Sequence, residues 1–212
     1  MLDITHFGLF LISIFFLCIT PGPDLAYVVG QSVANGKRSG IISAIGVALG
    51  SCTHAVASAV GLTALIMASP IMFQVIKYLG AAYLIYLGSK MLLGTFLGKK
   101  SSGVEMIETK ISTSGLLSRG FITTLTNPKV LLFFISFFPQ FVSADGYNHA
   151  LSFLMLGLIY ALIAFITDVT FAILAGGAAG AVSKSIRLQK ILDRVVGTTF
   201  IGLGIRLALI RR

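Results

Sequence analysis

Four charged or titratable side chains lie deep inside apolar stretches of this sequence. They are Asp24, His54, Lys129 and Asp168. A charge at the centre of a bilayer costs about 3 kcal/mol on insertion scales, so such residues usually bind a ligand, pair with one another or carry protons. Asp168 is the strongest candidate because apolar residues flank it for many positions on both sides. A structural pair between Asp168 and Lys129 is the alternative interpretation.

Two of these residues also have simpler explanations. The stem of Lys129 is long enough to carry its ammonium group to the membrane interface. His54 has an imidazole, a group that can carry protons at physiological pH, but a single histidine among alanines and serines also fits a packing position.

Other kinds of chemistry find little support in the residue types. Ser51, His54 and Asp168 could form a triad on paper, but no GxSxG motif accompanies them, so we expect no enzyme. The chain has three His and two Cys, without CxxC spacing or a clustered ligand set. We therefore expect neither a metal site nor a cofactor.

The composition places these side chains in a membrane. Hydrophobic residues make up 56% of the 212 residues and charged residues 11%, with a mean hydropathy of +0.97. The net charge of +9 does not indicate nucleic-acid binding, because the basic residues lie between or at the ends of apolar runs. The sequence predicts an all-α integral membrane protein in a lipid bilayer.

Hydropathy predicts about six transmembrane helices, of which the last is the weakest, so a five-span chain is the alternative. Basic residues cluster near positions 37–38, 99–119 and 184–194, which predicts that these loops are cytoplasmic. Gly46 and Gly50 have the small-xxx-small spacing of close helix packing. The predicted spans are Ile4 to Ala34, Ile41 to Ala68, Ile71 to Leu97, Gly115 to Val142, Ala150 to Gly176 and Ile191 to Ile210.

A hydrophilic segment at 98–113 divides the chain into two halves of three spans each. The halves are 1–97 and 114–212, and together they form one membrane domain. Because each half has an odd number of spans, the halves insert in opposite orientations, which is the inverted-repeat plan of many secondary transporters.

The first span is interrupted by the sequence Thr-Pro-Gly-Pro-Asp. Pro21 and Pro23 lack the amide hydrogens that a continuous helix needs, so the helix must break or kink there, and a simple proline kink for packing is the alternative interpretation. We expect Thr20 to cap a new half-helix, with Pro21 and Asp24 in its first turn. A broken helix is tolerated in a membrane only where it faces protein or a water-filled cavity.

The fourth span carries a corresponding interruption, Thr-Asn-Pro-Lys. Pro128 frees the carbonyl of Thr124, and Asn127 is a natural cap for the helix that follows. Interrupted helices at corresponding positions of two halves indicate a substrate site near the middle of the membrane. The predicted binding residues are Thr20, Pro21, Gly22, Pro23, Asp24, Asn127, Pro128, Lys129 and Asp168.

The chain resembles the LysE family of amino-acid exporters. The resemblance covers nearly the whole chain and rests on TPGPD at Thr20 to Asp24, GAAYLIYLGSKML at Gly80 to Leu92, TNPK at Thr126 to Lys129, and the acidic Asp168. One departure is Ser89, at a position where members often carry a bulky aromatic residue. The resemblance implies a multi-pass secondary transporter of the bacterial inner membrane that exports amino acids, is coupled to protons or cations, and forms a homodimer.

These expectations combine into one mechanism. The carboxylate of an amino acid would bind near Lys129 and the half-helix N-termini, and its ammonium group near Asp168 or Asp24. Asp168 and His54 are the candidates for carrying a coupling proton. An exporter of metal ions or of other small molecules is the alternative function.

Overall fold

The computed structural model describes residues 2–68, 111–143 and 146–176, with scattered helical positions between 71 and 93 and between 194 and 205. The predicted third span, the linker and the predicted sixth span fall largely outside the described residues. The helices are α1 (Phe7–Ile19), α2 (Pro23–Asn35), α3 (Lys37–Ala68), α4 (Thr113–Leu125), α5 (Pro128–Phe137), a 3₁₀ helix (Phe138–Phe141) and α6 (His149–Ala175).

Among these residues, α3 and α6 are each long and apolar enough to cross a bilayer. The pair α1 and α2 meets the same criteria as one bent unit, as does α4 with α5 and the 3₁₀ helix, and each pair is bent by 48° at its break. The described part of the chain therefore provides two to four membrane spans. The prediction of an all-α membrane protein is confirmed, and the helices break at both predicted positions.

Helix α3 lies at the centre of the described bundle, packed against α6, α4 and α2. At its crossing with α4 the two backbones touch. A methyl group on Gly46 would overlap the carbonyl of Leu117, and one on Gly120 would lie 2.6 Å from the carbonyl of Ser43. Gly50 likewise faces α4 at Thr124, so the predicted close packing is confirmed.

The start of α3 differs from the expected span boundary. The helix begins at Lys37 rather than Ile41, directly after Gly36. Gly36 has a φ of 83°, a left-handed conformation that a residue without a Cβ adopts at little cost. The turn between α2 and α3 is therefore a single glycine, and the basic residues Lys37 and Arg38 belong to the helix.

The described helices enclose two hydrophobic cores of different size. Aromatic rings from α1, α5, the 3₁₀ helix and α6 form the larger core, whereas the smaller core near the end of α6 contains Val28, Ala44, Val47 and Ala172. Large apolar side chains such as Ile12, Val60 and Ile166 are more than half exposed on the outer surface. Such a surface suits hydrocarbon chains, because apolar side chains facing lipid carry no desolvation cost.

Candidate functional site

The first break lies between α1 and α2. Helix α1 ends with the amide of Thr20 bonded to the carbonyls of Phe16 and Leu17, and α2 starts at Pro23 with Gly22 as its N-cap residue. Among the residues that the structure describes, no side chain caps this N-terminus. The amides of Asp24 and Leu25 therefore begin a helix without an intrahelical partner.

The expectation that Thr20 caps the new half-helix is wrong. Its hydroxyl donates to the carbonyl of Phe16 at 2.7 Å, so Thr20 closes α1 instead of capping α2. Pro21 precedes the new helix, and Pro23 takes its first position. The reason is that a threonine hydroxyl can bond back to the carbonyl four residues earlier, and the Pro-Gly-Pro sequence delays the restart by two residues. Asp24 does lie in the first turn, as predicted.

The second break is capped from within. Helix α4 ends at Leu125 and α5 starts at Pro128. Asn127 is the N-cap residue, and its side-chain oxygen accepts a hydrogen bond from the amide of Lys129 at 3.0 Å. The predicted cap is confirmed, and Asn127 is 2% exposed.

Lys129 connects the two breaks. Its ammonium group donates to the carbonyl of Leu17 and to that of Thr20, each at 2.9 Å. Leu17 is the residue whose carbonyl loses its helical donor to Pro21. The second half of the chain thus satisfies the polar groups that the first break leaves free, and Lys129 does not extend to an interface.

His54 makes the reciprocal connection. Its Nε2 lies 3.1 Å from the carbonyl of Thr124, the group that Pro128 deprives of its helical donor. Because a carbonyl can only accept, this geometry places the proton on Nε2. The ring packs beside Phe134 with centroids 5.5 Å apart. Each break therefore has a carbonyl held by a side chain from the other half.

A cavity lies where the two breaks meet. The part of it that the centre of a water molecule can reach is about 30 Å³. That is room for on the order of two waters, far below the roughly 300 Å³ of a small-molecule pocket. Its lining comes from α1, α2, α3, α5, α6 and the break residues: Leu17, Cys18, Thr20, Gly22, Asp24, Leu25, Val47, Ser51, Asn127, Lys129, Val130, Tyr160, Ala164 and Asp168.

Three charged groups share this cavity. Asp168 is buried at 5% exposure and lies within electrostatic reach of Asp24 and Lys129. One oxygen of Asp24, Oδ1, is buried without a hydrogen-bond partner among the described residues. Two carboxylates and one ammonium group give the cavity a formal charge of −1, in a setting where charges are weakly screened.

The predicted binding residues divide into two groups. Six of them line the cavity: Thr20, Gly22, Asp24, Asn127, Lys129 and Asp168. The three prolines are exposed and lie outside its lining, and His54 is buried beside it. The prolines therefore shape the breaks, while the residues next to them face the cavity.

Similarity to known proteins identifies the family of this chain. The LysE type translocator family matches residues 15–211. The chain belongs to this family. It is 33% identical over 206 residues to a leucine efflux protein of Enterobacter sp. (strain 638), covering 97% of this chain and 96% of the relative. Leucine efflux proteins of Salmonella choleraesuis (strain SC-B67) and Salmonella typhi are each 32% identical over 97% of this chain and 95% of theirs. No solved structure matches the chain significantly.

Sequence reasoning about this LysE family chain missed part of the cavity lining. Tyr160 and Ala164 precede Asp168 by eight and four residues, which places all three on one face of α6. Val47 and Ser51 share a face of α3 in the same way. The helical period around Asp168 was the signal that could have found the first pair.

Metal-ligating side chains are not grouped in the described part of this LysE family chain. No three His, Cys, Asp or Glu residues lie close enough there to hold an ion. Cys18 lines the cavity and Cys52 lies on α3, and both are free thiols.

Proposed function

We propose that this protein exports amino acids across the bacterial cytoplasmic membrane, with the substrate bound in the cavity between the two helix breaks. The observation that carries the proposal is that two broken helices meet at one buried cavity lined by Asp24, Lys129 and Asp168. Membership of a translocator family and relatives named leucine efflux proteins support it.

The cavity offers complementary groups for both ends of a zwitterion. Lys129 and the uncapped amides at the start of α2 suit a carboxylate, because a helix N-terminus carries a positive partial charge. Asp168 and the unpartnered oxygen of Asp24 suit an ammonium group, which has three protons to donate. The substrate therefore lies with its carboxylate toward Lys129 and its ammonium group toward the two aspartates.

The remaining lining favours an aliphatic side chain. Leu25, Val47, Val130 and Ala164 contribute apolar surface to the cavity. Burying such surface is favourable by about 25 cal/mol per Å² of apolar area. Leucine and similar amino acids are the substrates that this lining and the names of the relatives support.

Charge balance supports coupling to a proton or another cation. A zwitterion adds no net charge, so the formal charge of −1 remains after it binds. One bound cation would neutralise the site, and Asp168 is the carboxylate proposed to accept it. His54, the other candidate, is bonded to the carbonyl of Thr124, so it also holds the second break.

Transport needs the cavity to open, since its free space is smaller than an amino acid. The halves 1–97 and 114–212, joined by the linker 98–113, are proposed to be inverted repeats that rock against each other around the breaks. The bonds from Lys129 and His54 join these halves. A homodimer of this unit is the assembly that the family resemblance implies.

The test is export from cells loaded with dipeptides that release single amino acids inside. The expected result is that overproduction of the protein speeds the appearance of leucine or similar amino acids outside, and that Asp168→Asn abolishes the effect while inserting normally. Glu108→Gln removes a carboxylate from the hydrophilic linker 98–113 and is the control, which should export normally. Full export by Asp168→Asn would remove Asp168 from the mechanism.

The same cells test the coupling. Export should collapse when a protonophore dissipates the proton gradient, if the neutralising cation is a proton. Export that continues unchanged would count against a proton and direct the search to other cations.

A further inference from the structure

The segment Asp3–Thr5 pairs with Phe141–Ser143 at the face of the bundle where α1 and α6 begin. The amide of Thr5 donates to the carbonyl of Phe141 at 2.7 Å, and the amide of Ser143 donates to the carbonyl of Asp3 at 2.8 Å. Ile4 and Val142 form the antiparallel bridge between them. This short pairing joins the first half of the chain to the second.

The side chain of Asp3 adds a second attachment, to the start of α6. The Oδ2 atom of Asp3 accepts a hydrogen bond from the backbone amide of Asn148. The backbone amide of Asp3 donates to the hydroxyl of Ser152 at 2.9 Å. Asn148 is the N-cap residue of a 27-residue helix, where a carboxylate is favoured by the helix dipole. Gly146 packs so closely that a methyl group there would overlap the carboxylate of Asp3.

Below this pairing, a column of buried rings leads to the cavity. Phe141 supplies a carbonyl to the pairing, and its ring lies 5.3 Å from that of Phe10. Phe10 in turn contacts Phe138 at 5.5 Å, and Phe138 lies 6.4 Å from Tyr160, which lines the cavity. The three phenylalanines are at most 2% exposed, so they fill the path between the cavity and this face.

The charges indicate which face this is. Lys37 and Arg38 begin α3 at the opposite face, beside Gly176 at the end of α6. The stretches 2–6 and 141–149 contain no Lys or Arg. By the positive-inside rule, the face with Asp3 is the outer one.

We propose that Asp3 and its segment form an outer latch that holds the exit side of the cavity closed and must release for substrate to leave. The outer latch comprises Asp3, Ile4 and Thr5 with their partners Phe141, Val142, Ser143, Gly146, Asn148 and Ser152. Releasing it frees Phe141, which links the latch to the ring column. The proposal rests on the cavity being the substrate site.

Cys18 is a built-in reporter for opening, because it lines the cavity. In a Cys52→Ala background it is the one remaining thiol of the chain. Intact cells are exposed to a membrane-impermeant maleimide from outside, and the labelling rate is measured without any substrate. Asp3→Ala removes the charge-assisted bond to Asn148, so the rate should rise about tenfold.

Gly146→Ala perturbs the same latch from the partner segment. It keeps the test decisive if Asp3→Ala fails to fold. It should also raise the labelling rate, because its methyl group displaces the carboxylate of Asp3. In the double variant the carboxylate is gone, so Gly146→Ala should add nothing to Asp3→Ala. Unchanged rates, or effects that add fully, would overturn the latch whatever the substrate is.

A reversible disulfide across the outer latch would hold it closed, which is the opposite of weakening it. Ile4 and Val142 are a non-hydrogen-bonded antiparallel pair, with Cα atoms about 4.5 Å apart in such pairs, within the range that a disulfide spans. In cells, Ile4→Cys combined with Val142→Cys should lose export after oxidation and regain it after reduction, while each single variant is unaffected. Normal export by the cross-linked protein would overturn the latch. If neither the parent protein nor any variant exports amino acids, but the Cys18 labelling rates change as expected, the proposed function would be overturned and the latch would stand.

Discussion

The two helix breaks have the same shape and different chemistry. Both bend by 48°, both follow a threonine at the end of the preceding helix, and both restart at a proline. At the second position of the new helix, however, the first break carries Asp24 and the second carries Lys129. Corresponding positions of the two breaks thus hold opposite charges beside one cavity.

The breaks also differ in how their backbone groups are satisfied. The second break is capped by its own Asn127, and His54 completes it. Among the described residues the first break has no side-chain cap. Lys129 from the other half donates to its carbonyls of Leu17 and Thr20, and the carbonyl of Leu17 also accepts from the amide of Thr20. The amide end of the second break is therefore capped by a residue of its own half, whereas at the first break the described residues provide no side-chain cap.

The largest expected effect is at the first break. Lys129→Met removes a donor from the carbonyls of Leu17 and Thr20, and the carbonyl of Leu17 keeps only the amide of Thr20 among the described residues. A buried carbonyl without a donor costs about 1–3 kcal/mol. We expect the free energy of unfolding in detergent, measured by SDS titration, to fall by about 3 kcal/mol, and export to be lost. Lys129→Arg keeps the charge and should recover most of the stability.

If Lys129→Met kept full stability, the carbonyls of the first break would have other adequate partners. The first break would then not rely on the bonds that Lys129 provides from the other half.

A smaller effect is expected at the second break. His54→Ala leaves the carbonyl of Thr124 with the amide of Asn127 as its donor, at 3.1 Å. The loss of one bond and of the ring beside Phe134 should lower the free energy of unfolding by about 2 kcal/mol. His54→Gln retains a side-chain donor and should recover stability and export.

Export that fails in His54→Gln despite normal stability would assign His54 to proton transfer, one of the two roles that the sequence leaves open. The measurement is export and SDS titration on the same preparations.

The smallest expected loss of stability concerns Asn127, the cap of the second break. Asn127→Ala removes the acceptor for the amide of Lys129, and loss of such a cap costs about 1 kcal/mol. Asn127→Asp keeps an acceptor, so stability should be retained, but it adds a negative charge next to Asp24 and export should fall. Equal export by Asn127→Asp and the parent protein would show that the second break does not contribute to substrate binding.

Much of this arrangement was predictable from local sequence. A proline lacks an amide hydrogen wherever it stands, so the positions of both breaks follow from Pro21, Pro23 and Pro128. Asn127 lies two residues before the amide that it caps, so the start of α5 also follows from residues that are close in the sequence. The apolar runs indicated spans for the same reason, because burial of apolar surface depends on composition and length.

The prediction that failed at the first break was a choice between two competing local bonds. The hydroxyl of Thr20 could cap the next helix or bond back to Phe16, and the structure shows the second. Sequence offered no means to decide, because both bonds lie within reach of the same side chain.

The sequence alone thus determines that this is a membrane protein with two interrupted helices and charged residues next to the breaks. Only the tertiary structure decides which group satisfies each break. Lys129 lies 112 residues from Leu17, His54 lies 70 from Thr124, and Asp3 lies 145 from Asn148 along the chain. Over such separations no local rule applies, and the partner is set by how the helices pack, since a buried polar group must bond with whatever the packing brings to it.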